Sequence, residues 1–162
     1  MSYIEQVNGQ QLPVKTTTTP FWQTKSLAQM NAEEWESLCD GCALCCLHKL
    51  EDEDTGKVYY TNVVCRYLEQ EHCQCQHYRE RQQIVPTCVW LRPEDIKEFH
   101  WLPATCAYRL VAEGKPLPSW HYLVSGSRDT VHREGASVCN RVISEEFVHP
   151  DGMEEHIIQW VG

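Results

Sequence analysis

The chain is 162 residues long and 42% hydrophobic, which suits one compact domain with a modest core. Its 23 acidic against 14 basic residues give a formal net charge of −9, and phosphate contacts need basic surface, so non-specific nucleic-acid binding is not expected. No apolar run is long enough to span a bilayer, and the opening Met1-Ser-Tyr-Ile-Glu-Gln-Val-Asn has neither a basic start nor an apolar stretch, so a cytoplasmic protein without membrane contact is expected.

Residues 1–19 are polar, end in Thr16-Thr-Thr-Thr19 before Pro20 and carry no hydrophobic period. They predict a flexible polar tail ahead of a single domain over residues 20–162. Asn31-Ala-Glu-Glu34 is a capping-box pattern, with Trp35 and Leu38 following at helical spacing, so a short helix should run straight into Cys39. Gly41 breaks that pattern and small Ala43 leaves room for backbone close to an ion. Residues 48–64 alternate weakly around the acidic turn Asp52-Glu-Asp-Thr-Gly56, which predicts a β-hairpin. The turn lacks the spacing and the distal bidentate Glu of a calcium loop, so its acids are expected to be solvated.

Residues 65–88 are dense in Cys, His, Tyr and Arg and poor in apolar periodicity, so metal must supply order there. Pro93-Glu-Asp-Ile should start a short helix, and residues 106–113 another that stops at Gly114. Leu117-Pro-Ser-Trp-His-Tyr-Leu123 reads as extended and apolar. The C-terminal stretch holding Val138, Val142, Ile143, Phe147, Ile157, Ile158 and Trp160 reads as one or two late strands. The class expected is α+β: a small single domain of short helices and a few short strands around an irregular, metal-stabilised, cysteine-rich core.

Ten cysteines carry the chemistry. A reducing cytosol disfavours disulfides, and clustered spacing points to ligation instead, because soft thiolates select zinc, iron–sulfur or cuprous centres. Cys39-Asp-Gly-Cys42-Ala-Leu-Cys45-Cys46 repeats the Cys-x-x-Cys step twice, sharing Cys42. Three thiolates at that pitch match the start of a ferredoxin-like run, without the Cys-Pro that commonly closes it. Side chains of adjacent Cys45 and Cys46 diverge, so the doublet suits two ions or one polynuclear cluster; the alternative is that one of the pair is a small buried hydrophobe. Cys65, Cys75 and Cys88 are placed to bring further ligands, with Cys73 and Cys106 one step behind. Cys139 is expected to pack in an apolar strand. His48, His72 and His77 lie near enough to complete a mixed zinc site or to be ordinary surface residues, and His121 belongs to an aromatic cluster.

The stretch from Cys39 through Cys65-Arg-Tyr-Leu and Cys75-Gln-His-Tyr78-Arg-Glu-Arg81 to Cys88 resembles the bacterial CxxCxxCC cysteine-cluster family, described as zinc- or iron-chelating. Trp35-Glu-Ser-Leu-Cys-Asp-Gly-Cys, Trp101-Leu-Pro-Ala-Thr-Cys106-Ala-Tyr-Arg-Leu and Leu117-Pro-Ser-Trp-His121 resemble its YcgN-like branch and extend the likeness from Phe21 nearly to the C-terminus. The resemblance implies metal chelation in a bacterial cytoplasmic protein and carries no settled activity. Wider members follow the tyrosine with Arg-Pro and soon Cys-Arg. Here Arg81 precedes Gln82 and Cys88 follows Pro86, so the likeness reaches Cys88 less directly than Cys39, Cys42, Cys46, Cys65 and Cys75.

The expected function is metal chelation, of an iron–sulfur cluster or zinc, through Cys39, Cys42, Cys45, Cys46, Cys65, Cys73, Cys75, Cys88 and Cys106. The Cys-x-x-Cys-x-x-Cys spacing leans towards iron–sulfur. The alternative is a structural zinc module that docks a protein partner on an exposed surface of Trp101, Trp120 and Tyr122. No glycine-rich phosphate loop, Gly-x-Ser-x-Gly elbow or His-Glu-x-x-His motif occurs, and the Cys-x-x-Cys steps lack the βαβ setting of a dithiol oxidoreductase. Metal-assisted hydrolysis would need an open coordination position and a nearby base.

Overall fold

Elements in this chain are short because no hydrophobic period lasts beyond a few turns. The structure, a computed structural model, describes residues 18–161, so the expected tail over residues 1–19 lies outside the described residues apart from Thr18 and Thr19. Helix α1 (Phe21–Thr24) and a 3-10 turn (Leu27–Gln29) lead into α2 (Ala32–Ser37). The capping box forms as expected: Asn31 Oδ1 accepts the Glu34 N–H at 2.8 Å, and the Glu34 carboxylate accepts the Asn31 N–H at 3.0 Å. Lys25 pairs with the same carboxylate at 2.6 Å.

The hairpin also forms, with β1 (Leu47–Glu51) antiparallel to β2 (Val58–Val64). Register slips between Leu47, opposite Val64, and Lys49, opposite Tyr60, so β2 bulges. Thr61 at the bulge is fully buried and donates its hydroxyl to the His48 carbonyl at 2.8 Å. In the connecting turn Asp52 Oδ1 accepts from the Asp54 and Thr55 N–H groups and the Thr55 hydroxyl, which explains that acid without an ion. A two-residue hairpin, β3 (Leu68–Glu69) with β4 (Gln74–Cys75), and α3 (Arg81–Ile84) are the regular pieces of the cysteine-dense stretch.

The helix expected from Pro93 is a 3-10 helix, Pro93–Trp101, and α4 (Ala107–Ala112) ends before Gly114, whose φ of +68° suits a residue without Cβ. Beyond it the chain departs from expectation twice. The segment expected to be extended turns instead into α5 (Tyr122–Ser125), because His121 Nδ1 accepts the Leu123 N–H at 3.1 Å. That fixes the proton on Nε2, which donates to the Leu38 carbonyl at 2.7 Å from a fully buried ring stacked on Tyr122. After α6 (Thr130–Arg133) the late apolar stretch contributes only β5 (Ile143–Ser144), parallel to β2, and a single bridge from Ile157 to Thr61. Local caps explain the shortfall. Ser144 and His149 side chains accept N–H groups two residues on, Pro150 opens the second turn, and the chain winds into 3-10 turns Glu145–Phe147 and Pro150–His156.

Two cores result. Leu27, Met30, Trp35, Leu38, Phe99, Leu102, Tyr108 and Leu117 pack on the helical side; Leu44, Leu47, Tyr60, Val64, Leu68 and Val138 pack on the sheet side. The architecture is α+β as expected. Among the described residues no helix is long and apolar enough to cross a membrane.

Candidate metal centre

A cavity of about 770 Å³ opens between the two cores, with Trp35, Ala107 and Tyr108 from one and Ala43, Leu44, Leu47 and Leu68 from the other in its walls. All nine cysteines named from sequence line it. Local geometry explains how. Helix α2 delivers Cys39, and Asp40, itself buried, accepts the Cys42 N–H at 3.0 Å to fold the loop back. Gly41 and Ala43 both take left-handed φ, +78° and +59°, which starts the 3-10 turn Leu44–Cys46 and spreads Cys42, Cys45 and Cys46 around the cavity. The Cys65 N–H donates to the Cys46 carbonyl at 3.2 Å, seating Cys65 beside the doublet. Cys75 comes from β4, Cys88 from a turn held by Gln82, and Cys106 from the start of α4.

Mutual repulsion links these thiols in two groups that overlap at Cys45. Besides burial, Cys39 is raised by Cys45 and Cys106, Cys42 by Cys45 and Cys39, and Cys106 by Cys45. On the other side Cys46 feels Cys88 and Cys65, Cys65 feels Cys75, and Cys88 feels Cys75 and Cys65. The sets meet at the doublet, where a hydrogen bond between the two thiols lowers Cys45 and raises Cys46. Cys45 also raises Cys88 across that seam, ahead of Cys75 and Cys65. Among the described residues no three of these eight sulfurs lie within 4.8 Å of one another. A single tetrahedral ion would hold its thiolates about 3.8 Å apart, given Zn–S bonds of about 2.3 Å.

Cationic support comes from Lys49, whose ammonium donates to the Cys45 and Leu47 carbonyls at 3.0 and 2.9 Å. It lies 5.3 Å from the Tyr60 ring and 5.6 Å from that of Trp101. Burial lowers its pKa while Cys45, Cys46 and Cys88 pull it back up. Of the histidines weighed, His48 and His77 reach the cavity. His48 Nε2 is engaged by Glu145 at 2.6 Å, and His77 packs edge-on against Tyr67. His72 is exposed and pairs with Glu69 at 3.2 Å.

Lys49 and Glu145 were not singled out from sequence. Lys49 carries a faint signal, since strand alternation puts it on the same face as buried Leu47. Glu145 has none, lying 97 residues from His48 along the chain. The three aromatic residues expected to be exposed are not. Trp101, Trp120 and Tyr122 are half-buried, the Trp120 Nε1 atom is enclosed, and the Tyr122 hydroxyl donates to the Ser37 carbonyl. The Trp101 ring packs against the helical core beside the Lys49 ammonium, and the Tyr122 ring stacks on His121.

Burial sets the protonation of the metal-free site. It raises Cys42 and lifts Cys106 from 9.0 to about 11, while Cys46 is raised first by its hydrogen bond with Cys45 and then by burial, so these thiols are neutral at pH 7. Metal loading must therefore release protons, and affinity should fall about tenfold for each unit by which pH is lowered, per proton displaced. Proton release in weakly buffered indicator dye checks this; loading without release would contradict it. For Cys106 the sign of the stability effect follows from a folded pKa above the unfolded one. Its contribution to the metal-free fold is complete below pH 9 and lost as pH rises through about 11.

The CxxCxxCC family, with the description "Putative zinc- or iron-chelating domain", matches residues 38–107. A UPF0260 protein of Cellvibrio japonicus is 55% identical over 141 residues, covering 87% of this chain and 96% of the relative. One from Marinobacter nauticus is 56% identical over 142 residues, covering 88% and 96%. A third, from Azotobacter vinelandii, is 56% identical over 139 residues, covering 86% and 93%. No solved structure matches the chain.

Proposed function

From the premise that the chain belongs to the UPF0260 family and carries its CxxCxxCC segment, we propose an iron–sulfur-binding protein with two adjoining four-cysteine ligand sets. Cys39, Cys42, Cys45 and Cys106 form one set; Cys46, Cys65, Cys75 and Cys88 form the other. The observation that carries this reading is the separation of the eight sulfurs around one cavity of about 770 Å³. In a four-iron cluster each cysteine ligates a different iron, so its sulfurs stand further apart than around one zinc ion. The donor set fits, being soft thiolate throughout, with Lys49 to offset its negative charge.

An iron–sulfur cluster bound there supplies reversible one-electron transfer. The chain's own residues hold it, keep it partly enclosed and leave Cys39 and Tyr78 open at the rim, where a redox partner or an iron source has access. The role is carrying or sensing in the cytoplasm. Anaerobic purification, metal and sulfide analysis, and a visible spectrum before and after dithionite test it. Brown protein that bleaches is expected; colourless protein with stoichiometric zinc would replace this reading with a zinc staple.

A further inference from the structure

We propose that Cys73, His132 and Cys139 form a second metal site, distinct from the eight-cysteine cavity and selective for zinc. One ligand atom from each lies within 4.8 Å of the other two. They arrive from three separate segments: Cys73 from the turn between β3 and β4, His132 from α6, and Cys139 from the loop behind it. Convergence of two thiols and an imidazole from segments that far apart is what a tetrahedral ion needs, and the donor types favour zinc over calcium or magnesium.

The surroundings orient these donors. Ser137, 1% exposed, has its hydroxyl oxygen 2.8 Å from His132 Nδ1 and accepts the Cys139 N–H at 3.3 Å. Cys73 and Asn140 both adopt left-handed φ, +56° and +60°, which turns Cys73 and the Cys139 loop towards each other. Cys73 is buried and borders the large cavity, yet the thiol that acts on it is Cys139 rather than any of the eight. The neighbouring group of Glu69, Glu71 and His72 needs no ion, since the Glu69 carboxylate already accepts the Glu71 and His72 N–H groups.

Binding converts two S–H groups to thiolates and releases two protons, so Zn²⁺ with two thiolates and a neutral imidazole has no net charge. Solvent supplies the fourth position, because His132 and Cys139 are only partly buried. The ion would also brace the larger centre. The Val138 N–H, adjacent to Cys139, donates to the Cys42 carbonyl at 3.0 Å, and Cys73 stands two residues before Cys75.

The test uses the full chain, reduced and anaerobic, loaded with zinc and desalted, in wild-type form and as His132→Gln and Cys139→Ser. Each variant should retain one zinc fewer per chain than wild type, with thermal unfolding reporting that it is folded. Iodoacetamide mapping gives a second readout. Zinc should protect Cys73 and Cys139 together, and His132→Gln should expose both while leaving Cys42 and Cys45 as in wild type. Equal zinc content in all three proteins, zinc-independent alkylation of Cys73 and Cys139, or a disulfide joining them in the reduced preparation would each overturn the proposal.

Discussion

Replacing Cys45 by serine should remove about half of the metal held in the cavity, replacing Cys46 by serine should remove the other half, and the double variant should hold none there. The expectation follows from the way the doublet divides. Cys45 acts on Cys39, Cys42 and Cys106 and reaches across only to Cys88, whereas Cys46 feels Cys65 and Cys88. A serine oxygen is a harder and less readily ionised donor than a thiol, so a centre that loses one of four thiolates this way loses most of its affinity. Were the eight cysteines to serve one centre, either single variant would lose all the metal or almost none. Metal per chain, read beside the visible spectrum of each variant, separates these outcomes. The hydrogen bond joining the two thiols adds a check: without Cys46 the metal-free Cys45 thiol loses the partner that lowers it, and its reactivity at neutral pH should fall.

Trp35→Ala should cost about 3–5 kcal/mol, much of the ~5–15 kcal/mol that holds a domain of this kind together. Trp35 is buried, with its ring 4.7 Å from Tyr108 and 6.5 Å from Phe99. The Tyr108 hydroxyl donates to the Trp35 carbonyl at 2.8 Å, a bond that survives substitution, so the loss is one of packing. Because Trp35 also lines the cavity, its removal opens a void beside the first cysteine set. Binding to the folded state alone contributes about 4 kcal/mol at a thousandfold excess over Kd, enough to offset most of that loss. The variant should therefore unfold near room temperature when stripped of metal and regain a cooperative transition when loaded. Circular dichroism melts with and without chelator measure both, and equal melting temperatures in the two states would refute the coupling.

Local rules carried residues 31–114 well. The capping box from Asn31 to Glu34, the hairpin around Asp52 and the stop at Gly114 each depend on residues a few positions apart, and each formed as read. The late segments did not follow, since caps at Ser144 and His149 and the buried ring of His121 outweighed weak strand patterning. Among the cysteines, the Cys-x-x-Cys spacing marked the loop that lines the cavity, while the pairing of Cys106 with that loop is a contact across more than sixty residues of chain.

By itself the sequence determined the donor chemistry and the α+β class, because thiol type, spacing and turn residues act through covalent proximity. Only the tertiary structure decided how the thiols divide, that Lys49 and Glu145 stand at the cavity, and that Cys73 and Cys139 meet His132. Those juxtapositions arise when two cores pack against each other, and sequence distance carries no trace of them.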